Sequence, residues 1–315
     1  MYQKNEDSLA ENLQKPVLVV VVGPTAVGKT DFCVQLAQKL NCDIFSADSR
    51  QFYKEMSIGT AKPTALEMRD VKHHFIDSHS ILDDFSAGDF ERQADNLLEA
   101  YFKNNPVAIL TGGSGLFVKA LLYGLDDMPS VLPEIREKYM KRLENEGIEV
   151  LQNELKEKDP DTFQNIDIQN SQRVVRALEV CEGTGRKFSS FKAIKEKQLD
   201  YEVIKIGLER PREELYDRIN RRVDLMLEQG LLEEVERLKK FENHNALQTV
   251  GYKEVFGYFK HEYDYQSMVE LLKRNTRRYA KRQLTWFKNQ DHFEWFDARD
   301  PKIAIDFISQ KLLEI

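Results

Sequence analysis

Cysteine is scarce in this chain: there are three in 315 residues. Cys33, Cys42 and Cys181 form no CxxC pair and no metal-ligand spacing. That pattern excludes a disulfide framework, and an odd, sparse set fits a reducing compartment where thiols serve as small core residues. Long apolar runs are missing as well. The longest, Val17–Val22, has six residues, whereas a bilayer span needs about 20. Residues 1–15 are polar, carry Glu6, Asp7 and Glu11, and place no basic patch before an apolar stretch, so no signal peptide is expected. A cytoplasmic protein with no membrane contact is the expectation. Positive charge is not in excess either. The net charge of −7 gives no bulk sign of a polyanionic partner, although nucleic acid needs only a local basic surface. Neither a repeat, a low-complexity tract nor a C-terminal Cys/His cluster of the zinc-finger kind is present.

What is present describes a globular chain of about two domains, 41% hydrophobic and 31% charged. Apolar runs at 17–22, 42–47 and 106–110 each end in a polar or glycine-rich turn. The first and third are rich in valine and isoleucine, as in strands buried on both faces. Helical periodicity follows at 31–40 and 116–122, and also covers 87–102. Strand and helix in alternation predict a parallel α/β sheet. Between residues 128 and 198 the pattern turns to charged helices (134–146, 148–158, and 171–181 ending near Gly183). A strand returns at 201–208, with helices after it to about 289. The expected fold is therefore a P-loop NTPase-like parallel-sheet core, residues 1–127 and 199–315, with an inserted helical domain at 128–198.

Gly23, Pro24, Thr25, Ala26, Val27, Gly28, Lys29 and Thr30 match G-x-x-x-x-G-K-[ST] in full. Glycines let the backbone curl so that several N–H groups converge on one anion, and the following helix adds the positive end of its dipole. Lys29 brings a mobile positive charge, and the Thr30 hydroxyl is placed to ligate Mg²⁺. The alternative, a chance strand-to-helix turn, is disfavoured by the strand before and the helix after. The loop by itself predicts di- or triphosphate binding, as in ATP- and other nucleotide-binding proteins.

Ligands of open α/β sheets gather at the carboxyl ends of the strands, so Asp48 and Ser114 are expected on the loop's edge. Asp48 serves there to hold a metal-bound water, to accept a proton from a nucleophile, or to cap a helix; all three stay open. Ser114 is a hydrogen-bond donor to substrate or a helix cap. Between residues 271 and 290 stand seven basic residues and no acidic one. Lys273/Arg274, Arg277/Arg278 and Lys281/Arg282 recur every four residues, so on a helix they make one continuous stripe, with Arg274, Arg278 and Arg282 in i, i+4, i+8 register. The stripe is a phosphate-backbone contact, a diphosphate contact or a solvated face. His73 and His74 are read as structural or close to substrate rather than as metal ligands. Gly183 and Gly185 are read as a helix stop.

Taken together and in order, these segments resemble the bacterial tRNA dimethylallyltransferase (tRNA isopentenyltransferase) family over roughly residues 17–296. The resemblance rests on residues 23–30, Asp48 to Gln51 with Tyr53, Ile58 to Pro63, Phe85 to Phe90 and Gly112 to Leu116. It continues through Pro133 to Arg136, Gln169 to Arg173, Arg176 to Glu179, Val250 to Tyr252 and Lys281 to Trp286. It implies transfer of a dimethylallyl group from dimethylallyl diphosphate to the exocyclic amine of the adenosine 3′ of the anticodon, with Mg²⁺; a monomer is the separate expectation. By resemblance, residues 23–30 hold the diphosphate with Mg²⁺ at Thr30, Arg222 lies near it in a register shared with Arg221, and Asp48 is the general base. Asp48, Ser49, Arg50, Gln51, Ser114, Arg136, Gln169, Asn170, Ser171, Gln172 and Arg173 are the implied tRNA contacts. Ser114 departs from the family's usual threonine, keeping the hydroxyl and losing a methyl. Three rival readings remain: a P-loop kinase, an adenylate prenyltransferase using free nucleotide, and a non-catalytic RNA-binding module.

Overall fold

The computed structural model describes residues 13–126, 128–191 and 197–315; most of the 1–15 stretch, where no signal peptide is expected, lies outside them. One compact unit comprises Met1–Leu122 with Gln198–Ile315, and a second comprises Tyr123–Lys197.

The first unit is built on a parallel sheet of six strands: β1 (Val17–Val22), β2 (Ile44–Ser46), β3 (His73–His74), β4 (Val107–Gly112), β5 (Glu202–Glu209) and β6 (Glu294–Asp297), in the order β3-β2-β4-β1-β5-β6. The valine run of β1 is central because it is buried on both faces, between β4 and β5. Helices α1 (Lys29–Leu40), α2 (Ala65–Met68), α3 (Ala87–Phe102) and α4 (Gly115–Tyr123) follow the first strands. Two apolar layers result, one containing Leu18, Val20 and Val22 with Phe90 and Leu98, the other Val17, Val19 and Val21 with Leu36 and Ile308.

The second unit is helical: α5 (Pro133–Glu146), α6 (Ile148–Lys158), α7 (Pro160–Asn165) and α8 (Ser171–Thr184). It has its own core around Tyr139, Leu151, Leu155 and Leu178. The chain then returns to the first unit through α9 (Arg212–Glu228), α10 (Leu231–Arg237), α11 (Tyr252–Phe259), α12 (Tyr265–Gln290) and α13 (Pro301–Glu314).

The P-loop NTPase-like α/β class is as expected, and several details differ. The second strand is Ile44–Ser46, shorter than 42–47, because the chain turns at Asn41 with φ of 49° and at Asp48. Strand β3 is made of the two histidines themselves: His74 Nε2 bonds Asp43 at 2.8 Å, His73 Nδ1 meets the Val71 carbonyl at 2.9 Å, and the His74 ring stacks on Phe45. Helix α8 runs past Gly183, whose missing side chain leaves room for Val131 at 2.5 Å from an added Cβ. It stops at Gly185, where φ of 68° suits glycine. Strand β6 and helix α13 had no sequence expectation.

Candidate active site

Strand β1 ends on the phosphate loop, residues 23–30. Gly28 adopts φ of 113°, a conformation open to glycine, and this turn starts α1 at Lys29. The lysine therefore belongs to the helix, two residues earlier than its periodicity begins. Its ammonium folds back over the loop, donating to the Gly23 carbonyl at 2.8 Å and the Pro24 carbonyl at 3.0 Å. Burial lowers its pKa from 10.5 to about 8, with Asp48 pulling it up and Arg222 pushing it down. Thr30 is exposed in the first helical turn.

Cations surround this loop from the far end of the sequence. Arg210 Nε donates to the Val27 carbonyl at 2.7 Å, and Arg218 Nε to the Ala26 carbonyl at 2.8 Å. One turn along α9, Arg222 donates to the Thr25 hydroxyl at 3.3 Å. Its neighbour Arg221 is exposed and ion-paired with Asp217, so the register puts Arg222 at the loop. From α12 the buried Gln283 accepts the Thr25 N–H at 2.9 Å and donates to the Gly113 carbonyl at 2.9 Å. It thereby ties the phosphate loop to the turn after β4.

Asp48 follows β2 at the same sheet edge. No helix starts there; the carboxylate caps its own turn, Oδ1 accepting the Arg50 N–H at 3.0 Å and the Gln51 N–H at 3.4 Å. Burial raises its pKa above the ordinary 3.8, opposed by those N–H groups, Lys29 and Arg50. Tyr279 of α12 lies in its field. Ser114 stands where α4 begins, its carbonyl accepting from Phe117 and Val118. Its hydroxyl accepts the Ser49 N–H at 2.8 Å and donates to the Ser49 hydroxyl at 2.9 Å. The hydroxyl that replaces threonine's thus holds the Asp48 segment. The Gln51 amide donates to the Thr60 and Ala61 carbonyls at 3.1 and 3.2 Å.

The first unit therefore brings together residues 23–30, Asp48 to Gln51, Ser114 and Arg222. The remaining candidates gather within the helical unit. Arg136 of α5 donates to Glu179 at 3.1 Å and Gln172 at 2.8 Å. Asn170 caps α8 through the Arg173 N–H at 3.3 Å, and Ser171 opens the helix. The exposed Gln169 donates its N–H to Asp167 at 3.1 Å. A hollow of about 380 Å³ there is lined by Asn165, Asn170, Gln172, Arg173, Arg176 and Phe188.

Sequence reasoning missed Arg210, Arg218, Gln283 and Tyr279. A signal existed for two of them: Arg218 is one helical turn before Arg222, and Gln283 lies inside the Lys281 to Trp286 segment.

A phosphate loop ringed by arginines, facing a half-buried carboxylate across a parallel sheet edge, defines a P-loop α/β enzyme of anionic substrates. The sequence profile described as IPP transferase matches residues 51–290, and the chain belongs to that family. It is similar to the tRNA dimethylallyltransferase of Cytophaga hutchinsonii, 50% identical over 94% of this chain and 98% of that protein. The tRNA dimethylallyltransferase of Flavobacterium psychrophilum is 45% identical over the same shares. Among solved structures, the tRNA isopentenylpyrophosphate transferase of Bacillus halodurans has a TM-score of 0.70 at 38% identity, covering 95% of this chain and 98% of that one. A eukaryotic dimethylallyltransferase acting on tRNA has a TM-score of 0.73 at 28% identity, covering 94% and 80%.

Proposed function

We propose that this chain transfers a dimethylallyl group from dimethylallyl diphosphate to the exocyclic amine of the adenosine 3′ of the anticodon in tRNA, releasing diphosphate. The supporting observation is one sheet edge that carries both an anion cradle and a carboxylate of raised pKa, in a chain half identical to a tRNA dimethylallyltransferase.

The amine is a poor nucleophile because its lone pair is delocalised into the purine. The allylic carbon compensates: as its C–O bond breaks, the positive charge is shared by resonance. The new bond joins this carbon to the amine nitrogen, the C–O electrons leave with the diphosphate, and the nitrogen's proton passes to Asp48. Charge growing on the leaving group meets loop N–H groups, Lys29 and Arg222. Extrusion of the adenine from its stack precedes the reaction, as for other enzymes acting on a base. The Thr30 hydroxyl, exposed beside Lys29, is a hard oxygen donor that fits Mg²⁺ alongside diphosphate oxygens and water. Bound there, Mg²⁺ would offset negative charge on the diphosphate. The exposed arginines of α12 and the Arg136, Gln172, Arg173 group serve the RNA. The working form is a cytoplasmic monomer.

The test is incubation with labelled dimethylallyl diphosphate, Mg²⁺ and either total tRNA or AMP. Label in tRNA alone is the expected result. Label in AMP would favour the adenylate prenyltransferase reading, and label in neither would overturn the proposal.

A further inference from the structure

Glu234 of α10 is a carboxylate only 3% exposed that belongs to none of the roles above. Its four partners are all donors from elsewhere in the first unit. Oε2 accepts the N–H of Ser57 at 3.0 Å and of Ile58 at 2.8 Å. Oε1 accepts the N–H of Gly59 at 3.0 Å and the Tyr252 hydroxyl at 2.6 Å. A buried carboxylate is tolerated when its lone pairs are met in this way, and each charge-assisted bond is stronger than a neutral one. Three consecutive backbone amides are thus held on one anion.

The Tyr252 ring seals the arrangement. A Cβ on Gly59 would stand 2.6 Å from the ring, so the loop and the ring approach closely only because residue 59 has no side chain. Two segments of the family resemblance, Ile58 to Pro63 and Val250 to Tyr252, here meet in one contact.

The loop so fixed leads to the reacting edge. Its next two carbonyls, Thr60 and Ala61, accept the Gln51 amide at 3.1 and 3.2 Å. Lys62 then donates to the Tyr53 carbonyl at 2.6 Å and pairs with Asp77 at 2.5 Å. Gln51 in turn gives its backbone N–H to the Asp48 carboxylate at 3.4 Å. The turn carrying Asp48 is therefore gripped on one side by Ser114 and on the other by a loop anchored on Glu234.

We propose that Glu234 and Tyr252 are positioning residues that hold Asp48 in register for proton removal, acting through the 57–61 loop and Gln51. This rests on the reading of Asp48 as the general base. Neither residue touches substrate; their effect is to keep the carboxylate from drifting, since an ångström of misplacement costs up to about 10²-fold in rate.

The experiment is a double-mutant cycle read by single-turnover transfer at saturating tRNA and dimethylallyl diphosphate. Tyr252→Phe deletes one donor and keeps the ring against Gly59. It is expected to slow transfer about tenfold, within the misplacement range, while affinities for pyrophosphate and tRNA change less than about twofold. Asp48→Asn alone is expected to slow transfer roughly 10²–10⁴-fold. In the Asp48→Asn background Tyr252→Phe should add less than about threefold, because residues acting as a unit are not additive. Glu234→Gln, which turns an amide NH₂ toward backbone donors, should cost more than Tyr252→Phe and follow the same cycle. If it fails to fold, Tyr252→Phe carries the test. A Tyr252→Phe rate within twofold of wild type, or a full penalty persisting without Asp48, would overturn the proposal. An Asp48→Asn protein near the wild-type rate would overturn the base reading and the clamp with it. That result is read from the single variant, apart from the cycle.

Discussion

At Lys29, burial and function pull the same proton in opposite directions. Desolvation disfavours the ammonium and brings its pKa down to about 8, whereas a bound diphosphate would favour the charged form. The protonated lysine thus prevails below about 8 and is lost above it, so anion binding above that pH must also take up a proton. Lys29→Ala should weaken pyrophosphate and dimethylallyl diphosphate together, since both present the same anion. The affinity gap between wild type and Lys29→Ala should be full at pH 7 and close as pH rises past about 8. Calorimetric titration of pyrophosphate into both proteins at pH 7, 8 and 9 checks this. A gap of constant size would show that no lysine proton is coupled to binding. The residue itself was legible from its motif, because the spacing of glycines and lysine encodes a local backbone shape. Its pKa was not, because burial is a property of everything packed around it.

Helix α12 shows what periodicity reads well and what it cannot assign. The spacing of basic residues predicts a stripe, and the helix indeed runs unbroken over Tyr265–Gln290 with Leu272, Ala280, Gln283 and Phe287 buried on one side. The stripe is divided, however. Lys273 pairs with Asp224 at 2.7 Å, Arg277 donates to Asn220 at 2.6 Å, and Lys288 pairs with Glu209 at 2.6 Å. Arg274, Arg278 and Arg282 are exposed, with no ion pair among the described residues. For single-stranded RNA the slope of log affinity against log salt is about −0.7 per phosphate contact. Replacing these three arginines by alanine should therefore flatten it by about two units, with little change in binding of AMP. Filter binding of tRNA against salt for the two proteins measures it, and parallel slopes would assign the arginines to a solvated face. The short elements were the illegible ones. Two residues in β3 and four in β6 complete no hydrophobic period of their own and exist because a neighbouring strand offers them a ladder.

Across the whole molecule, the division into two units predicts that they loosen separately, since each has its own apolar core. Asp159, fully buried in the helical unit, accepts the Thr162 N–H and hydroxyl at 3.1 and 2.6 Å and the Ser189 N–H and hydroxyl at 2.7 and 2.9 Å. Asp159→Ala would orphan all four donors, a loss of roughly 3 kcal/mol. Hydrogen exchange should then quicken within Tyr123–Lys197 while the amides of Val17–Val22 stay protected and pyrophosphate affinity holds. Equal loosening of β1 would mean that the two cores unfold as one.

The order of motifs along the chain by itself determined the class of fold, the phosphate-loop turn at residues 23–30 and the placing of Asp48 just after a strand. Each of these is written in local spacing: glycines for a turn, a valine run for a doubly buried strand, an aspartate at a strand's end. Only the tertiary structure decided which distant side chains complete the site. Gln283 reaches Thr25 and Gly113, Arg218 and Arg222 face the loop while Arg221 turns away, and Glu234 gathers the amides of residues 57–59. These partners stand about 170 to 260 positions apart in the chain. The loop after β1, the turn after β4 and the start of α9 after β5 share one edge because a parallel sheet sends every strand's carboxyl end there, wherever in the sequence that strand lies, while Gln283 and Glu234 arrive on helices α12 and α10.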